Sequence, residues 1–360
     1  MQDGSSSPTS TPAPDEPERS GGPSPNGPQA PPHSGPDAKR PVWDEPPDRG
    51  RATENPWKLP WQGWRDVLAR VVREVREDRL DIIAAGVAFY ALLALGPALA
   101  ALVSIYGMFA EPEDLQLLIG SVAELTPDAS RSLLLDQMLA PAIAAAPRTL
   151  TLGAVLGALL SLWSANRGMK ALMTAISVAY EEPRTRGFFH HTLLSLGMLS
   201  GAVILFAMVA VTVVAFPHLL RTTELGSLLA TLLTVLRWPL LFALFLFSLA
   251  SLYRWAPVRR SPKWRWVSVG SIAATLLWLG FSGLFSIYSR HFLEIRGGYG
   301  AITGVVALSL WLFGTAFVIL LGAELNAEIE HQTAKDSTIG EPRPLGLRGA
   351  FVADHVGKSR

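Results

Sequence analysis

The fold of this chain is decided by one stretch near its C-terminus, residues 299–330, which reads YGAITGVVALSLWLFGTAFVILLGAELNAEIE. Residues 301–323 hold no charged side chain. A helix needs about 20 predominantly apolar residues to cross the hydrocarbon core of a membrane. The stretch then ends on Glu324, Asn326 and Glu328. We therefore predict a transmembrane helix over 301–323 with acidic groups at one end.

Five further segments have the same apolar character, near 82–109, 149–168, 193–216, 225–253 and 267–289. Only 17% of the residues are charged and the mean hydropathy is +0.28, whereas soluble proteins carry about 25% charged residues. These figures exclude a soluble enzyme. The sequence predicts an all-α polytopic membrane protein with six transmembrane helices in a domain over 82–330.

The Lys and Arg residues near the segment ends predict the orientation. Fifteen of them lie before the first span or in the loops after the second and fourth spans, against six in the other three loops. Cytoplasmic loops carry the excess of positive charge in membrane proteins. We therefore expect a multi-pass protein of the bacterial inner membrane with both termini in the cytoplasm.

Two terminal segments fall outside the predicted domain. Residues 1–56 hold 14 of the 27 prolines and few large apolar side chains, so burial cannot offset the entropy of ordering them. They predict a disordered tail; the alternative is a Pro-rich arm that binds a partner. Residues 331–360 predict a flexible cytoplasmic tail.

An amphipathic helix is predicted over 57–81. Arg residues fill its polar faces, and its apolar residues recur at three- and four-residue spacing: Trp61, Trp64, Leu68, Val71, Val72 and Val75. Aromatic anchors beside a basic face are typical of a helix in the lipid headgroup layer. The alternative is a helix packed on a cytoplasmic protein surface.

Small residues and one proline predict how the spans pack. Pro97 removes a backbone donor inside the first span and is expected to kink it. Close helix approach is expected at pairs of glycines four residues apart, which are Gly153 with Gly157, Gly197 with Gly201, and Gly300 with Gly304. These faces predict a compact bundle, and a homo-oligomer is an arrangement that they allow.

Polar residues near the span ends are the candidate functional residues, because each is costly in a membrane unless it is paired. The predicted layer consists of Asp81, Asn166, Arg167, Arg254, Glu324 and Asn326. One hypothesis is a cytoplasmic vestibule with an Arg167–Glu324 ion pair. The alternative is a set of interfacial charges whose side chains reach water.

Five motifs follow one another along the chain: FYALLALGP (89–97), LWSANRGMKALMTAISVAYEEPRTR (162–186), YRWAPVRRSPKWRWVSVG (253–270), FSIYS (285–289) and the opening stretch. Together they resemble the YihY/BrkB family of inner-membrane proteins, often labelled ribonuclease BN or virulence factor BrkB. The resemblance covers roughly residues 65–330. It implies a six-helix integral membrane protein without a firmly assigned activity. Family members usually show a Ser where this chain has Ala94-Leu95-Gly96.

Enzyme chemistry finds little support in the residues. The chain has no cysteine and seven histidines, and it contains no HxHxDH or HExxH pattern and no GxxxxGK[ST] phosphate loop. RNA hydrolysis commonly needs two metals held by His and Asp clusters or a His pair. We therefore predict no catalytic, cofactor or metal site, no nucleic-acid partner and no ribonuclease activity.

Two function classes remain. The first is a transporter or exporter, with the lipid bilayer as its surroundings and an unidentified small molecule or lipid as its substrate. The alternative is a non-catalytic scaffold or interaction protein of the cell envelope. The depth and pairing of Glu324 and Arg167 distinguish the two classes, because a water-accessible charged cavity inside the membrane favours transport.

Overall fold

The computed structural model describes residues 49–106, 152–183, 186–210, 212, 227–295 and 300–357. All of these lie in one unit, Pro41–Arg360. Residues 1–48 of the predicted tail (1–56) and the predicted outer loop after the first span lie outside the described residues. Residues 49–56 are described, and there the buried Arg51 donates a 2.7 Å hydrogen bond to the Gly357 oxygen.

The described residues form eight α-helices and no strand, which confirms the all-α class. We number them in chain order as α1 Trp61–Glu77, α2 Leu80–Tyr106, α3 Leu152–Ala179, α4 Phe188–Ala210, α5 Ser227–Trp255, α6 Trp264–Ile295, α7 Gly300–His331 and α8 Phe351–Asp354.

Each of the six predicted apolar segments overlaps one of the helices α2 to α7, with different bounds. Among the described residues, four segments are long and apolar enough to cross a membrane by length and composition: Phe188–Val209, Val235–Trp255, Trp264–Ser289 and Thr303–His331. A shorter apolar segment, Leu80–Leu95, lies in α2. The chain is therefore a membrane protein with several apolar helices.

Helix α7 lies at the centre of the fold and contacts α1, α2, α3, α6 and α8. Its Leu320 and Ala323 are buried in a cluster with Leu80 of α2, Ile176 of α3 and Tyr253 of α5. The Tyr253 hydroxyl donates a 2.7 Å hydrogen bond to the backbone oxygen of Ile319. A helix that is apolar on all sides is typical of a buried central helix.

Helices α6 and α7 approach most closely at two glycines that the sequence did not single out. A Cβ built on Gly270 would lie 2.2 Å from the Gly322 oxygen, and one on Gly322 would lie 2.5 Å from the Tyr253 hydroxyl. By contrast, no atom of the described residues lies within 4 Å of a Cβ built on Gly197 or Gly201. The prediction of close packing at those two positions is therefore wrong for the described part of the chain, where no helix packs on that side of α4.

The other packing predictions are answered in part. Helix α2 continues through Pro97, whose side chain lies outside the described part of the chain. Gly304 of α7 is buried. The surroundings of Gly153, Gly157 and Gly300 also lie outside the described residues.

Helix α1 packs on protein along one side. Val67 and Val71 are buried against Trp266 of α6 and Ile329 of α7, as the alternative interpretation of this helix expected. Another side stays exposed and carries the apolar residues Trp61, Leu68 and Val72. The amphipathic pattern therefore contains two apolar stripes, of which the protein covers one.

The segment after α7 is not the flexible tail that the sequence predicted. Residues 332, 333, 337 and 338 are almost fully buried. The Arg348 guanidinium donates to the backbone oxygens of Ala334 and Ala353, both at 2.6 Å. The prediction was wrong because this segment is held mainly by hydrogen bonds, which leave no periodic apolar pattern in a sequence.

Candidate functional site

The predicted polar layer divides into residues at the surface and residues inside the bundle. Asp81 and Arg167 are exposed, and the Arg167 guanidinium carbon lies 4.9 Å from the ring centroid of Trp163. Arg254 donates a 2.7 Å hydrogen bond to the Pro262 oxygen. Its guanidinium lies over the ring of Trp264. Asp81 and Arg167 therefore lie at the surface of the bundle, whereas Arg254 is half-buried against protein groups.

The two amide side chains join helices. Asn166 of α3 accepts a 2.7 Å hydrogen bond from the hydroxyl of Ser195 in α4. Asn326 of α7 is fully buried; it accepts from the backbone N–H of Gly270 at 2.7 Å and donates to the Val267 oxygen at 3.2 Å. Both hydrogen bonds of Asn326 therefore fix α7 against α6 at the close approach of Gly270 and Gly322.

Glu324 differs from the rest of the layer. Its side chain is buried, with 2% of the residue exposed, and its Oε2 atom has no hydrogen-bond partner among the described residues. The hypothesised ion pair with Arg167 is not formed, since Arg167 lies at the surface over Trp163. A buried polar atom without a partner carries a free-energy penalty of about 1–3 kcal/mol.

One turn further along α7, Glu328 forms an ion pair that the sequence did not reveal. Its Oε2 accepts from Nε of Arg70 in α1, and both side chains are at most 5% exposed. Arg70 also donates to the side-chain oxygen of Gln332 at 2.8 Å. Nδ1 of His331 lies 3.3 Å from Oε1 of Glu328. Both carboxylate oxygens of Glu328 therefore have a polar partner, Arg70 on one side and His331 on the other.

A cavity of about 440 Å³ opens beside this ion pair. We call it the acidic cavity, since four of its lining residues are glutamates; it is lined by Arg70, Arg73, Glu74, Glu77, Glu181, Glu328, His331, Phe351, His355, Val356 and Gly357. The last four residues come from the C-terminal segment. The segment that was expected to be a free tail therefore forms one wall of the cavity.

The charges of the acidic cavity affect carboxyl groups outside the spans. Burial raises the pKa of Asp78 to about 6, and the carboxylates of Glu74, Glu181 and Glu77 add to the shift. Burial also raises the pKa of Glu181, an effect that the neighbouring His331 opposes. Crowded carboxylates disfavour one another's charged form, so this end of the bundle binds protons in a mildly acidic range.

Three groups at the cavity could hold a metal ion by geometry. Glu181, Glu328 and His331 each offer one ligand atom, and these atoms lie within 4.8 Å of one another. No sequence motif shows this set, because Glu181 follows α3 while the other two belong to α7. Arg70 already pairs with Glu328, so a metal ion would compete with a guanidinium for one of its ligands.

A second buried ion pair lies on another side of α7. Nη2 of Arg259 donates to Oε2 of Glu330 at 2.7 Å, and both side chains are at most 1% exposed. The Arg259 guanidinium also lies over the ring of Tyr180, 4.3 Å from its centroid. In the sequence, Arg259 is one of several arginines in the same loop. Nothing distinguishes it there from the basic residues that orient a protein in the membrane.

Comparisons with known proteins agree with this architecture. A family model described as virulence factor BrkB matches residues 71–345. Among curated proteins, a protein named as ribonuclease-like, YfkH of Bacillus subtilis (strain 168), is 30% identical over 176 residues, which cover 48% of this chain and 63% of that protein.

The chain is also similar, over shorter stretches, to two proteins that are named as membrane proteins. The UPF0761 membrane protein of Tolumonas auensis is 34% identical over 19% of this chain and 22% of its own length. The UPF0761 membrane protein IL2447 of Idiomarina loihiensis is 30% identical over 22% of this chain and 28% of its own length. The matched part therefore spans less than two thirds of each of these relatives. No solved structure matches the chain.

Proposed function

Since this chain belongs to the virulence factor BrkB family of membrane proteins, we propose that it is a secondary transporter or exporter in which the Glu324 carboxyl takes up and releases a proton. The observation that carries the proposal is the buried Oε2 atom of Glu324, which has no partner among the described residues. Ionisable groups inside membrane segments are rare, and they mark substrate paths and proton relays.

The neighbourhood of Glu324 supports a proton path to the polar end of the bundle. Glu328 lies four residues further along α7, on the same face of the helix and about 6 Å along its axis. Glu328 lines the acidic cavity together with Glu181 and His331. Proton relays in membrane proteins are built from carboxylates and imidazoles that lie one after another along a path.

The proton step can be tested without knowing the substrate. The purified protein is reconstituted on a solid-supported membrane, and successive pH jumps that together run from pH 10.5 down to pH 6 are applied. We expect a transient charge displacement from the wild-type protein and its loss in Glu324→Gln. Asp81→Asn is the matched control, because it makes the same chemical change on an exposed carboxylate at the same end of the bundle.

Three outcomes are informative in this assay. A transient that survives in Asp81→Asn and disappears in Glu324→Gln, with equal melting temperatures, supports the proposal. An unchanged transient in Glu324→Gln contradicts it, as does the absence of any transient from the wild-type protein. Separate pools of amino acids, sugars, nucleosides and short-chain phospholipids are then added to the wild-type protein. The pool that adds a steady current to the transient contains the substrate.

The membrane arrangement that belongs to this proposal has six spans and both termini in the cytoplasm of a bacterial inner membrane. The chain contains no cysteine, so single cysteines can be introduced without a background. We expect Asp128→Cys, in the predicted outer loop, to react with an impermeant maleimide in intact spheroplasts. Ile339→Cys, at an exposed position after α7, should react only after permeabilisation. The opposite pattern would overturn the orientation.

The scaffold interpretation remains the second candidate. Its supporting observation is the exposed apolar stripe of α1, formed by Trp61, Leu68 and Val72, which offers a surface to a lipid layer or to another protein. A scaffold requires this stripe but not a proton step at Glu324. Loss of cellular function in Leu68→Asp, together with normal function in Glu324→Gln, would favour the scaffold.

We also retain the proposal that the chain is not a ribonuclease and has no nucleic-acid partner. The ribonuclease-like name belongs to YfkH. In this chain His331 is 6% exposed, and the glutamate beside it is paired with Arg70, so these groups are poorly placed to reach an RNA phosphate. Cleavage of a labelled RNA by the purified protein, lost in His331→Gln, would contradict the proposal.

A further inference from the structure

A second cavity lies at the polar end of the bundle, separate from the acidic cavity. It has a volume of about 430 Å³. We call it the basic cleft; it is lined by Arg186, Gly187, His190, Val258, Arg259, Arg260 and Gly349. These residues come from the loop before α4, the first turn of α4, the loop between α5 and α6, and the C-terminal segment. None of them takes part in the proton step proposed above.

Two guanidiniums in the basic cleft have buried donors without an acceptor. Nε and Nη1 of Arg259 and Nη1 of Arg260 are buried and have no hydrogen-bond partner among the described residues. The Arg259 side chain is fully buried. An unsatisfied buried donor on a charged group carries a larger penalty than one on a neutral group. Orphan donors on two neighbouring guanidiniums therefore indicate a missing ligand that is rich in acceptor oxygens.

The third arginine fixes one wall of the cleft. The Arg186 guanidinium donates to the backbone oxygens of Trp255, Ala256 and Pro257 at 2.7–3.0 Å. These contacts use three of its five N–H donors and leave its positive charge in place. Of the three guanidiniums, only that of Arg259 pairs with a described carboxylate, Glu330. The cleft therefore keeps a surplus of positive charge.

The backbone adds to the positive electrostatic potential of the basic cleft. Gly187 lines the cleft directly before the start of α4, and the first N–H groups of a helix carry partial positive charge. A helix start beside arginine side chains matches the usual surroundings of a bound phosphate. The anion that fits three guanidiniums and a helix start is therefore a phosphate group.

Four exposed aromatic residues lie close in sequence to the lining residues of the basic cleft, and we call them its rim. Phe188 and Phe189 follow Gly187 directly and are 73% and 85% exposed. Trp255 and Trp264, at the facing ends of α5 and α6, are also exposed. Aromatic side chains gather at the level of the lipid headgroups, and basic pockets between membrane helices bind anionic headgroups. The rim thus places the cleft where a phospholipid presents its phosphate.

We propose that the basic cleft binds a phosphate group through Arg259, Arg260 and the start of α4, and that this phosphate is the headgroup of an anionic phospholipid. The acyl chains lie along the exposed Phe188 and Phe189. Arg259 and Arg260 then donate to the phosphate oxygens through the nitrogens that lack a partner.

The proposal is tested by ligand binding to the purified full-length protein in detergent. The probes are dioctanoyl phosphatidylglycerol, dioctanoyl phosphatidylcholine and inorganic phosphate, and binding is measured by native mass spectrometry and thermal shift. We expect phosphatidylglycerol to bind and Arg260→Gln to weaken it about tenfold or more, since a hydrogen bond to a charged group contributes about 1.5–3 kcal/mol. Arg265→Gln is the matched control, because Arg265 is exposed nearby and does not line the cleft.

A second variant keeps every arginine in place. His190 is exposed at the cleft, so His190→Asp adds a carboxylate without disturbing the core, and we expect it to weaken the same probe. Binding of phosphatidylglycerol that both variants reduce supports the lipid phosphate. Equal binding of inorganic phosphate, reduced by the same variants, supports the site but assigns it to a free anion. Absence of binding, or equal losses in Arg265→Gln, overturns the proposal.

Discussion

Arg70 and Glu328 form a buried ion pair that joins the first helix of the described bundle to the last long one across 258 positions of sequence. The pair closes the acidic cavity on one side, and Gln332 accepts a further hydrogen bond from the same guanidinium. This pair therefore adds to the apolar contacts of Val67 and Val71 that hold α1 against α7.

Removing one partner of this pair should destabilise the protein strongly. Arg70→Leu or Glu328→Leu leaves a buried charge without its partner, and such changes typically cost about 3–5 kcal/mol. The double variant replaces the pair by apolar groups and should recover most of the loss. Arg73→Leu is the control, because Arg73 is half exposed in its contact with Glu74. Thermal unfolding in detergent measures all four; a double variant as unstable as the singles would contradict the argument.

The close approach of α6 and α7 gives a second prediction. In Gly270→Ala the new methyl group would clash with the Gly322 backbone oxygen and the Asn326 amide, and in Gly322→Ala with the Tyr253 hydroxyl. Overpacking of this kind costs about 1–3 kcal/mol. Gly197→Ala and Gly201→Ala are the matched controls, since no atom of the described residues lies within 4 Å of the methyl group that each adds. Equal melting temperatures for the two sets would show that the α6–α7 contact is looser than described.

Part of this architecture could be predicted from the sequence. The uncharged run over 301–323 and its acidic end predicted a membrane helix and singled out Glu324 and Asn326, because burial in lipid constrains composition along every turn. The partners of Glu328 and Glu330 could not be predicted. Arg70 and Arg259 each lie among other arginines, and the positive charge of such segments is already explained by membrane orientation. Only the fold shows that these two arginines contact α7.

The acidic end of the bundle should make stability depend on pH. The pKa of Asp78 is raised to about 6 by burial and by Glu74, Glu181 and Glu77, whereas an unfolded Asp titrates near 3.9. Between these values the folded state binds the proton more tightly, so its stability falls as pH rises through about 6. Asp78→Asn should flatten this part of the curve. Melting temperatures of both proteins at pH 5, 6, 7 and 8 measure the effect; parallel curves would contradict it.

The C-terminal segment should be a stable part of the fold, and Arg348 should be the residue that holds it. Its side chain is buried and donates to the backbone oxygens of Ala334, Lys335, Arg343 and Ala353.

In Arg348→Ala four backbone oxygens lose their donor, and only the contact to Ala353 is fully buried. A buried group left unsatisfied costs about 1–3 kcal/mol. We expect trypsin to cleave the segment after Gln332 much faster in this variant than in the wild-type protein. Arg348→Lys keeps the charge but loses the planar fork of donors, so it should show intermediate protection. Arg343→Ala, at an exposed side chain, should behave as the wild-type protein does. Rapid cleavage of this segment in the wild-type protein would contradict the expectation and would support the flexible tail that the sequence predicted.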